Sequence, residues 1–514
     1  MENNKSQCIE EINNLFCKYN DNPGVTDKIL YYIKKELPER INLLIEREER
    51  KHKLEVNAES YINEFLINSE NKYVYIPKSE FYIKYDGKDF SIENESNILH
   101  SILADISKKS ELIPWKYKIK NMIIKKIKDT DFFSIIPESN TIQNILQFLT
   151  KTIFENKDLS KYFLTIIGDN ILKKQQNIVH LVDNKSKHLL HELEYQICDY
   201  FKNIYHCNAT FKFTWNNYLY NNCRILTLAP LVEKKGIWIN FIKKNFLNLI
   251  SVSVYYSKRF NSSEDFIKKI PNIKTINKIN FLKNKTPSEI LSLFTNEVKI
   301  EKKENSSISL KEMHYLWKIF LNNNELPYII FLSTVTNELK KYYGFKNNRF
   351  LNIKSNHLET INIIDTFWNT FIVKEDGHEL EISEICGLYN EWVQLNDESE
   401  NLNHYLDEDF FNTYIFNFCD IKVNGKNIEN IKCTLWDKET ETGNILKELK
   451  LKYKFSPNLY ENSIDSMYHD YCNTCRNDYS YKIVSKNWFT KYINQVIPDQ
   501  YIKKNRILNS YWLT

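Results

Sequence analysis

The stretch from 308 to 356 constrains the chain more than any other. Ser309 and Glu312 have the spacing of a capping box, in which a hydroxyl and a carboxylate take the free N–H groups at a helix start, so a helix is predicted from Leu310. Met313, Leu316, Trp317 and Phe320 follow at i, i+3, i+4 and i+7 and define one buried face. Asn322 to Pro327 breaks that helix. A second helix is predicted to carry Phe331, Val335 and Leu339 inward. Gly344 and the pair Asn347-Asn348 then mark a turn between two short extended pieces. From Lys340 to Lys354 the chain has four Lys, one Arg and no acid, a local charge of +5. That concentration points to a contact with phosphate rather than to a reaction.

Helix, turn, helix and basic hairpin is the order of a winged helix, and the pattern recurs. Ile385, Leu388, Tyr389 and Trp392 repeat the spacing of Met313, Leu316, Trp317 and Phe320. Phe411, Ile415 and Phe418 follow on a second helix, Asn424-Gly425 turns the chain, and 428–435 closes it. Residues 358–372, with Ile361, Ile364, Phe367, Trp368 and Phe371, read as a connecting helix. The two copies differ in charge. Residues 375–420 hold thirteen Asp or Glu and no Lys or Arg. Such helices repel phosphate, so the acidic copy is expected to meet a protein partner or to pack within the chain. Residues 108–128 hold eight Lys against one Glu, and 267–285 hold six Lys and no acid. In the first of these, Lys118, Lys125 and Lys126 flank the apolar stripe Ile119, Met122, Ile123 and Ile127. They are candidates for a second phosphate patch, weighed against a plain solvated helix face.

A chain of 514 residues exceeds one ordinary core, and 42% hydrophobic with 14% aromatic residues is the make-up of a folded chain. The expected fold class is mainly α with small β-hairpins (α+β), multi-domain, with tandem winged-helix-like units. The expected divisions are a helical region (1–71), a small sheet plus basic helix (72–132) and an α+β domain (133–260). After these come a Lys/Asn-rich linker with short helices (261–307), the basic unit (308–356), the acidic unit (357–440) and a mixed tail (441–514). Asp86-Gly87 is a two-residue turn signal inside the small sheet. Within the α+β part, Ser139-Asn140, Ser160 and Ser186 read as helix starts, 178–182 as a strand, and 209–231 as a hairpin with Asn-rich turns. Gly236 to Tyr256 reads as a buried helix. Tyr511, Trp512 and Leu513 form an apolar tip expected to dock. The start of the chain is polar and acidic, unlike a secretory leader, and the most apolar run, 246–256, is too short to span a bilayer. The ten cysteines are scattered and read as reduced thiols of a cytosolic compartment.

Catalytic signatures are missing. Gly87-Lys88 and Gly425-Lys426 lack the glycine five residues earlier that a phosphate-cradling loop needs, which excludes a P-loop motor; no GxGxxG stands in the chain either. Gly168-Asp169-Asn170 can be read as a metal-binding turn, or more plainly as a polar kink in a helix; the metal reading needs a second carboxylate. His469, Cys472 and Cys475 make half a zinc site at best, with Cys419 or Cys433 as possible completions. His188, His191 and Glu192 lie on a predicted helix without the order of a zinc protease. Asp407-Glu408-Asp409 is the charged start of a helix. Tyr342, Tyr343 and Phe345 flank the basic hairpin, either to stack on bases or to pack the hairpin on its helices. No catalytic residue, metal or cofactor is assigned.

The chain resembles a family of proteins from large nucleocytoplasmic DNA viruses of the mimivirus kind, through YVYIPKSEFYIKYDG (73–87), IPWKYKIKNMIIKKIK (113–128), IPESNTIQNIL (136–146), KYFLTIIGDNILKK (161–174), SLKEMHYLWKIFLNNNELP (309–327) and IKCTLWDK (431–438). The 308–356 unit also resembles the winged helices of RFX-type DNA-binding domains and of poxvirus-type primase–helicases; the helicase motor itself has no counterpart here. RFX domains read DNA partly through the wing, so the resemblance implies that Lys346 and Arg349 touch nucleic acid, although this hairpin holds one Arg where the RFX pattern is Arg-rich. The reading is a non-enzymatic nucleic-acid-binding viral protein of replication or transcription, in the host cytoplasm or the virion. Lys340, Lys341, Lys346, Arg349 and Lys354 would contact phosphate, DNA is the expected ligand, and no membrane is involved. The alternatives are an assembly protein whose winged helices meet protein only, and a nucleic-acid enzyme built on Asp169.

Overall fold

The structure is a computed structural model. It describes residues 2–68, 72–174, 177–396, 406–419, 421, 423–455, 463–477, 481–503, 506–508 and 510–511. Trp512 and Leu513 of the expected apolar tip, and 397–405 of the acidic stretch, lie outside the described residues. The chain is mainly helical with small separate sheets. It divides into two compact units, Met1–Thr286 with Glu325–Phe331, and Pro287–Asn324 with Leu332–Thr514.

The first unit opens with α1 (Glu2–Lys18), α2 (Pro23–Tyr31) and α3 (Leu37–Asn68). The strands β1 (Lys72–Ile76), β2 (Phe81–Tyr85) and β3 (Phe90–Glu93) follow as an antiparallel meander. Gly87, at φ +84°, supplies the left-handed turn between the last two. α4 (Glu95–Ser107) and α5 (Lys116–Asp129) each bury one face, through Ile98, Ile102 and Ile106 and through Ile119, Ile123 and Ile127. Together with Tyr61, Ile62 and Phe65 of α3 they form one core. Met122, expected in that stripe, is exposed.

A larger core gathers α6 (Ser139–Thr152), α7 (Lys157–Ile171), α8 (Lys187–Phe201) and α10 (Lys235–Phe260). Ser160 does not start α7. Asn156 caps it, accepting from Leu159 N, and Ser160 is a buried interior residue. The strand expected at 178–182 is β4 (Val179–Leu181). The expected 209–231 hairpin is replaced by a different pairing. After the short helix α9 (Cys207–Thr210), β5 (Phe211–Lys212) and β6 (Cys223–Ile225) both pair with β4 and run parallel to it, in the order β5-β4-β6. Alternation marked the extended pieces but carried no information on their partner. The 261–307 stretch, expected as a linker, contributes core. α11 (Ser263–Ile267) and α12 (Ile273–Ile279) bury Phe266, Ile267 and Ile279, and Ile270 between them is buried too.

The second unit contains one element order twice. α13 (Pro287–Glu297), β7 (Ile300–Ser309), α14 (Leu310–Asn323), α15 (Leu332–Tyr342), β8 (Phe345–Lys346) and β9 (Arg349–Ser355) make the first copy. α16 (Glu359–Phe371), β10 (Ile372–Glu381), α17 (Ile382–Asn396), α18 (Glu408–Phe418), β11 (Val423–Asn424) and β12 (Asn427–Cys433) make the second. The sheets are ordered β7-β9-β8 and β10-β12-β11. Each long strand breaks register at the same place, between Lys302 and Ser307 and between Lys374 and Glu379. Opposite each break stands an Asn at positive φ, Asn352 at 56° and Asn430 at 59°. Shared irregularities of this kind are stronger evidence of duplication than the helical spacing alone. The first copy begins one helix and most of one strand before the expected start at 308, and α16, read as a connecting helix inside 357–440, is the first helix of the second copy. The capping box at Ser309 and Glu312 is formed, and Val335 and Leu339 are buried. Phe331 is not: it lies exposed just before α15, and its ring packs 5.5 Å from that of Trp215 within the first unit. α19 (Lys438–Phe455), α20 (Ile464–Asn477) and α21 (Lys486–Val496) complete the second unit.

Candidate nucleic-acid interface

The basic hairpin is rigid because its residues leave it little choice. Asn347 (φ 50°) and Asn348 (φ 58°) both adopt the left-handed conformation that a tight two-residue turn requires. Phe350 and Ile353 are buried, which turns Arg349 and Leu351 outward. Phe345 packs on Phe350, ring centres 4.8 Å apart, and Asn348 O accepts from Leu310 N at 2.9 Å, tying the turn to the start of α14. Phe345 therefore packs rather than offering a stacking face, while Tyr342 is left exposed.

The five basic residues of this region are not equivalent. Lys341 is 2.6 Å from Glu338, and Lys354 is 3.9 Å from Glu301. Arg349 donates to Ser307 Oγ at 2.8 Å and to Ser307 O at 3.2 Å. Those bonds hold its guanidinium, which also feels the half-buried Asp365 carboxylate without forming a close ion pair with it among the described residues. Lys340 lies 4.3 Å over the Phe345 ring, and Lys346 is exposed with no ion pair among the described residues. The charge left to attract an anion is that of Lys340, Lys346 and Arg349. The turn before α15 is already engaged: Trp215 N donates to Tyr328 O at 2.9 Å, and the Tyr220 hydroxyl to Ile329 O at 3.2 Å.

Compared with known proteins, the chain matches no family model, no curated protein and no solved structure.

Of the second patch, Lys118 is 3.8 Å from Glu55 and 3.9 Å over Trp115, and Lys126 donates to Asn63 at 3.0 Å. Lys125 alone of the three is exposed with no ion pair among the described residues. A cleft of about 800 Å³ in the same unit holds Lys88, Lys151, Lys243 and Lys244 around the stacked rings of Phe148 and Phe241. All four lysines are exposed and have no ion pair among the described residues. The sequence reading missed them because they come from three separate segments, none of them a charge run.

The acidic copy finds much of its partner inside the chain. Glu379 pairs with Lys491 at 2.7 Å, Glu384 with Lys438 at 2.7 Å, and Glu391 with Lys482. The Glu384–Lys438 pair is buried, and burial pushes the carboxyl up and the ammonium down from their usual values. α18, which corresponds to α15, packs on α14: Lys318 donates to Asn417 at 2.6 Å, and Tyr315 lies 5.1 Å from Phe418. Asp407 caps α18 by accepting from Phe410 N at 2.8 Å, as its place in an acidic helix start suggested.

The remaining candidates separate cleanly. Asp169 sits inside α7, accepting from Ser257 Oγ at 2.6 Å and Ser263 N at 2.7 Å, 3.7 Å from Lys174. Its carboxylate thus ties α7 to the start of α11. Among the described residues the group with metal-competent spacing is His191, Glu194 and Cys207; it includes neither Asp169 nor the Cys472 and Cys475 pair. Asp169 thus lies inside a helix and is engaged by Ser257, Ser263 and Lys174, unlike the strand-connecting metal turn of the enzyme reading. In the His191 group, the Cys207 thiol donates to Glu194 at 2.9 Å, and burial together with that carboxylate pushes the thiol up to about 12. His188 and Glu192, named beside His191 from the sequence, are not in this group, and Glu194 and Cys207 were missed.

Proposed function

We propose that this protein is a non-enzymatic nucleic-acid-binding protein whose first repeat acts as a winged helix. On this reading Lys340, Lys346 and Arg349 touch the phosphate backbone, with Lys341 and Lys354 as weaker contributors. The observation that carries it is the outward-facing pair Lys346 and Arg349 at a two-residue turn, Arg349 held by Ser307, on the edge hairpin of a β7-β9-β8 sheet backed by helices. Phosphate contacts of this kind set affinity and position without reading sequence. Duplex DNA is the ligand proposed first, following the RFX-like pattern. On the likeness of the sequence to proteins of mimivirus-like viruses, we propose a role in viral replication or transcription, in the host cytoplasm or the virion. In the first unit, Lys125 and the four cleft lysines are better phosphate contacts than Lys118 or Lys126, which already have partners. The test is an anisotropy titration of the full chain against duplex and single-stranded DNA at two salt concentrations, with wild type and K346E/R349E. Salt-sensitive binding that weakens in the variant supports the reading. No binding at low salt, or binding indifferent to the reversal, refutes it.

A second reading, an assembly protein meeting other proteins, is favoured by one observation. Leu37, Ile41 and Leu44 stand at i, i+4 and i+7 on α3 and are all exposed, an apolar stripe along one helix face. The unpaired acids of the second repeat, such as Asp376 and Asp409, would serve the same role.

A further inference from the structure

We infer that His191, Glu194 and Cys207, joined by His206, form a zinc site. His191 and Glu194 stand three residues apart on α8 and so share a face. Cys207 opens α9, and its sulfur lies 2.9 Å from Glu194 Oε2. His191 Nδ1 is 3.8 Å from that same oxygen, and His206 Nδ1 is 3.5 Å from Glu194 Oε1. The donor atoms of His191, Glu194 and Cys207 all lie within 4.8 Å of one another, and His206 stands beside this group rather than in it. Zinc bonds of about 2.0–2.3 Å in a tetrahedron hold their ligands about 3.3–3.6 Å apart. The His191 separation, to the oxygen that also meets Cys207, is already close to that; His206 faces the other oxygen and would turn inward to become the fourth ligand. The shorter sulfur–oxygen distance is a hydrogen bond; zinc takes the place of its proton, which leaves to solvent, and the two atoms open to ligand spacing.

The donor set selects the ion. One thiolate, imidazoles and one carboxylate suit zinc better than magnesium or calcium, which prefer all-oxygen shells. A thiolate and a carboxylate also balance the two charges of the ion. The segment carrying His206 and Cys207 is held in place independently of any ion. Asn170, at the end of α7, donates to His206 O at 2.9 Å and to Thr210 Oγ1 at 2.6 Å, and accepts from His206 N at 3.2 Å. Cys198 donates to Tyr205 O at 3.3 Å. Cys207 is buried while the two histidines reach solvent, so an ion can enter from the histidine side. There it would staple α9, and β5 directly after it, to α8.

The experiment is metal analysis of the purified full chain, followed by stripping with chelator and titration with cobalt(II). A single zinc per chain and, on cobalt, a thiolate-to-metal band in the near ultraviolet with intense visible bands are expected. Cys207→Ser should abolish the thiolate band. His206→Asn, at an exposed position that does not threaten folding, should weaken binding at least about 10-fold. A C472S/C475S variant should keep both the zinc and the band. Absence of a thiolate band in the cobalt-titrated wild type, its loss in C472S/C475S, or undiminished affinity in His206→Asn together with an intact band in Cys207→Ser would overturn the assignment.

Discussion

His180 shows how much one buried side chain can decide. It lies on β4 with its Nε2 3.1 Å from the Tyr162 hydroxyl. Burial, with the Arg224 guanidinium adding to it, pushes the imidazole from 6.5 down to about 3. The unfolded chain therefore binds a proton near pH 6.5 that the native chain refuses until near pH 3. Stability from this group is complete above 6.5 and declines as pH falls through that window. Between pH 7 and 5 the loss is about 2 kcal/mol from this residue. Urea denaturation at the two pH values should show it, and His180→Gln should remove most of the difference. An equal pH dependence in the variant would trace the loss to other groups. Nothing around His180 in the sequence announces this, since its partners Tyr162 and Arg224 are distant in the chain.

At the scale of elements, Gly168 sets the contact between α7 and α10. A Cβ there would stand 2.1 Å from the Ser253 carbonyl oxygen, and backbone cannot swing aside. Gly168→Ala should force the helices apart and cost about 1–3 kcal/mol, read as a lower urea midpoint; an unchanged midpoint would mean that the pair adjusts freely. From the sequence, GDN looked like a turn or kink, yet the helix runs through it to Ile171. What could be read in advance was what is local: the capping box at Ser309, the buried stripes of α5 and α14, the turns at Asp86-Gly87 and Asn347-Asn348. Each of these is decided by residues within one or two turns of each other. What could not be read depends on partners far along the chain. β5 and β6 chose β4 rather than each other, and 263–279, read as linker with short helices, forms those helices but buries their apolar residues in a core supplied by other segments. Lys354 and Lys118 lost standing as phosphate ligands to carboxylates on another strand and another helix, Lys341 to Glu338 one turn earlier on its own helix, and Cys207 met Glu194 across a loop. Charge runs told where lysines are dense, not which ones are already paired.

At the scale of the whole molecule, the net charge is +4 over 514 residues, so no strong overall field draws the chain to a polyanion. Binding must come from local groups, and its salt dependence counts them. If the five basic residues between 340 and 354 all replaced counterions on duplex DNA, the log–log slope would be about −4.5; with Lys341 and Lys354 held by Glu338 and Glu301 it should be nearer −3. Exposed ion pairs are weak, so these two lysines can be recruited, but only by giving up their carboxylates. If the hairpin alone makes the contact, the wild-type slope is near −3 and falls to about −1 or less in magnitude for K346E/R349E; first-unit lysines that bind as well steepen both. Lys118→Glu should leave it almost unchanged, because that lysine already faces Glu55 and Trp115. Anisotropy titrations over a series of salt concentrations measure all three. A steep slope untouched by the hairpin reversal but flattened by K243E/K244E would move the contact to the cleft of the first unit. A flat slope in every variant would favour the assembly reading, with the exposed apolar stripe of α3 as the next surface to change.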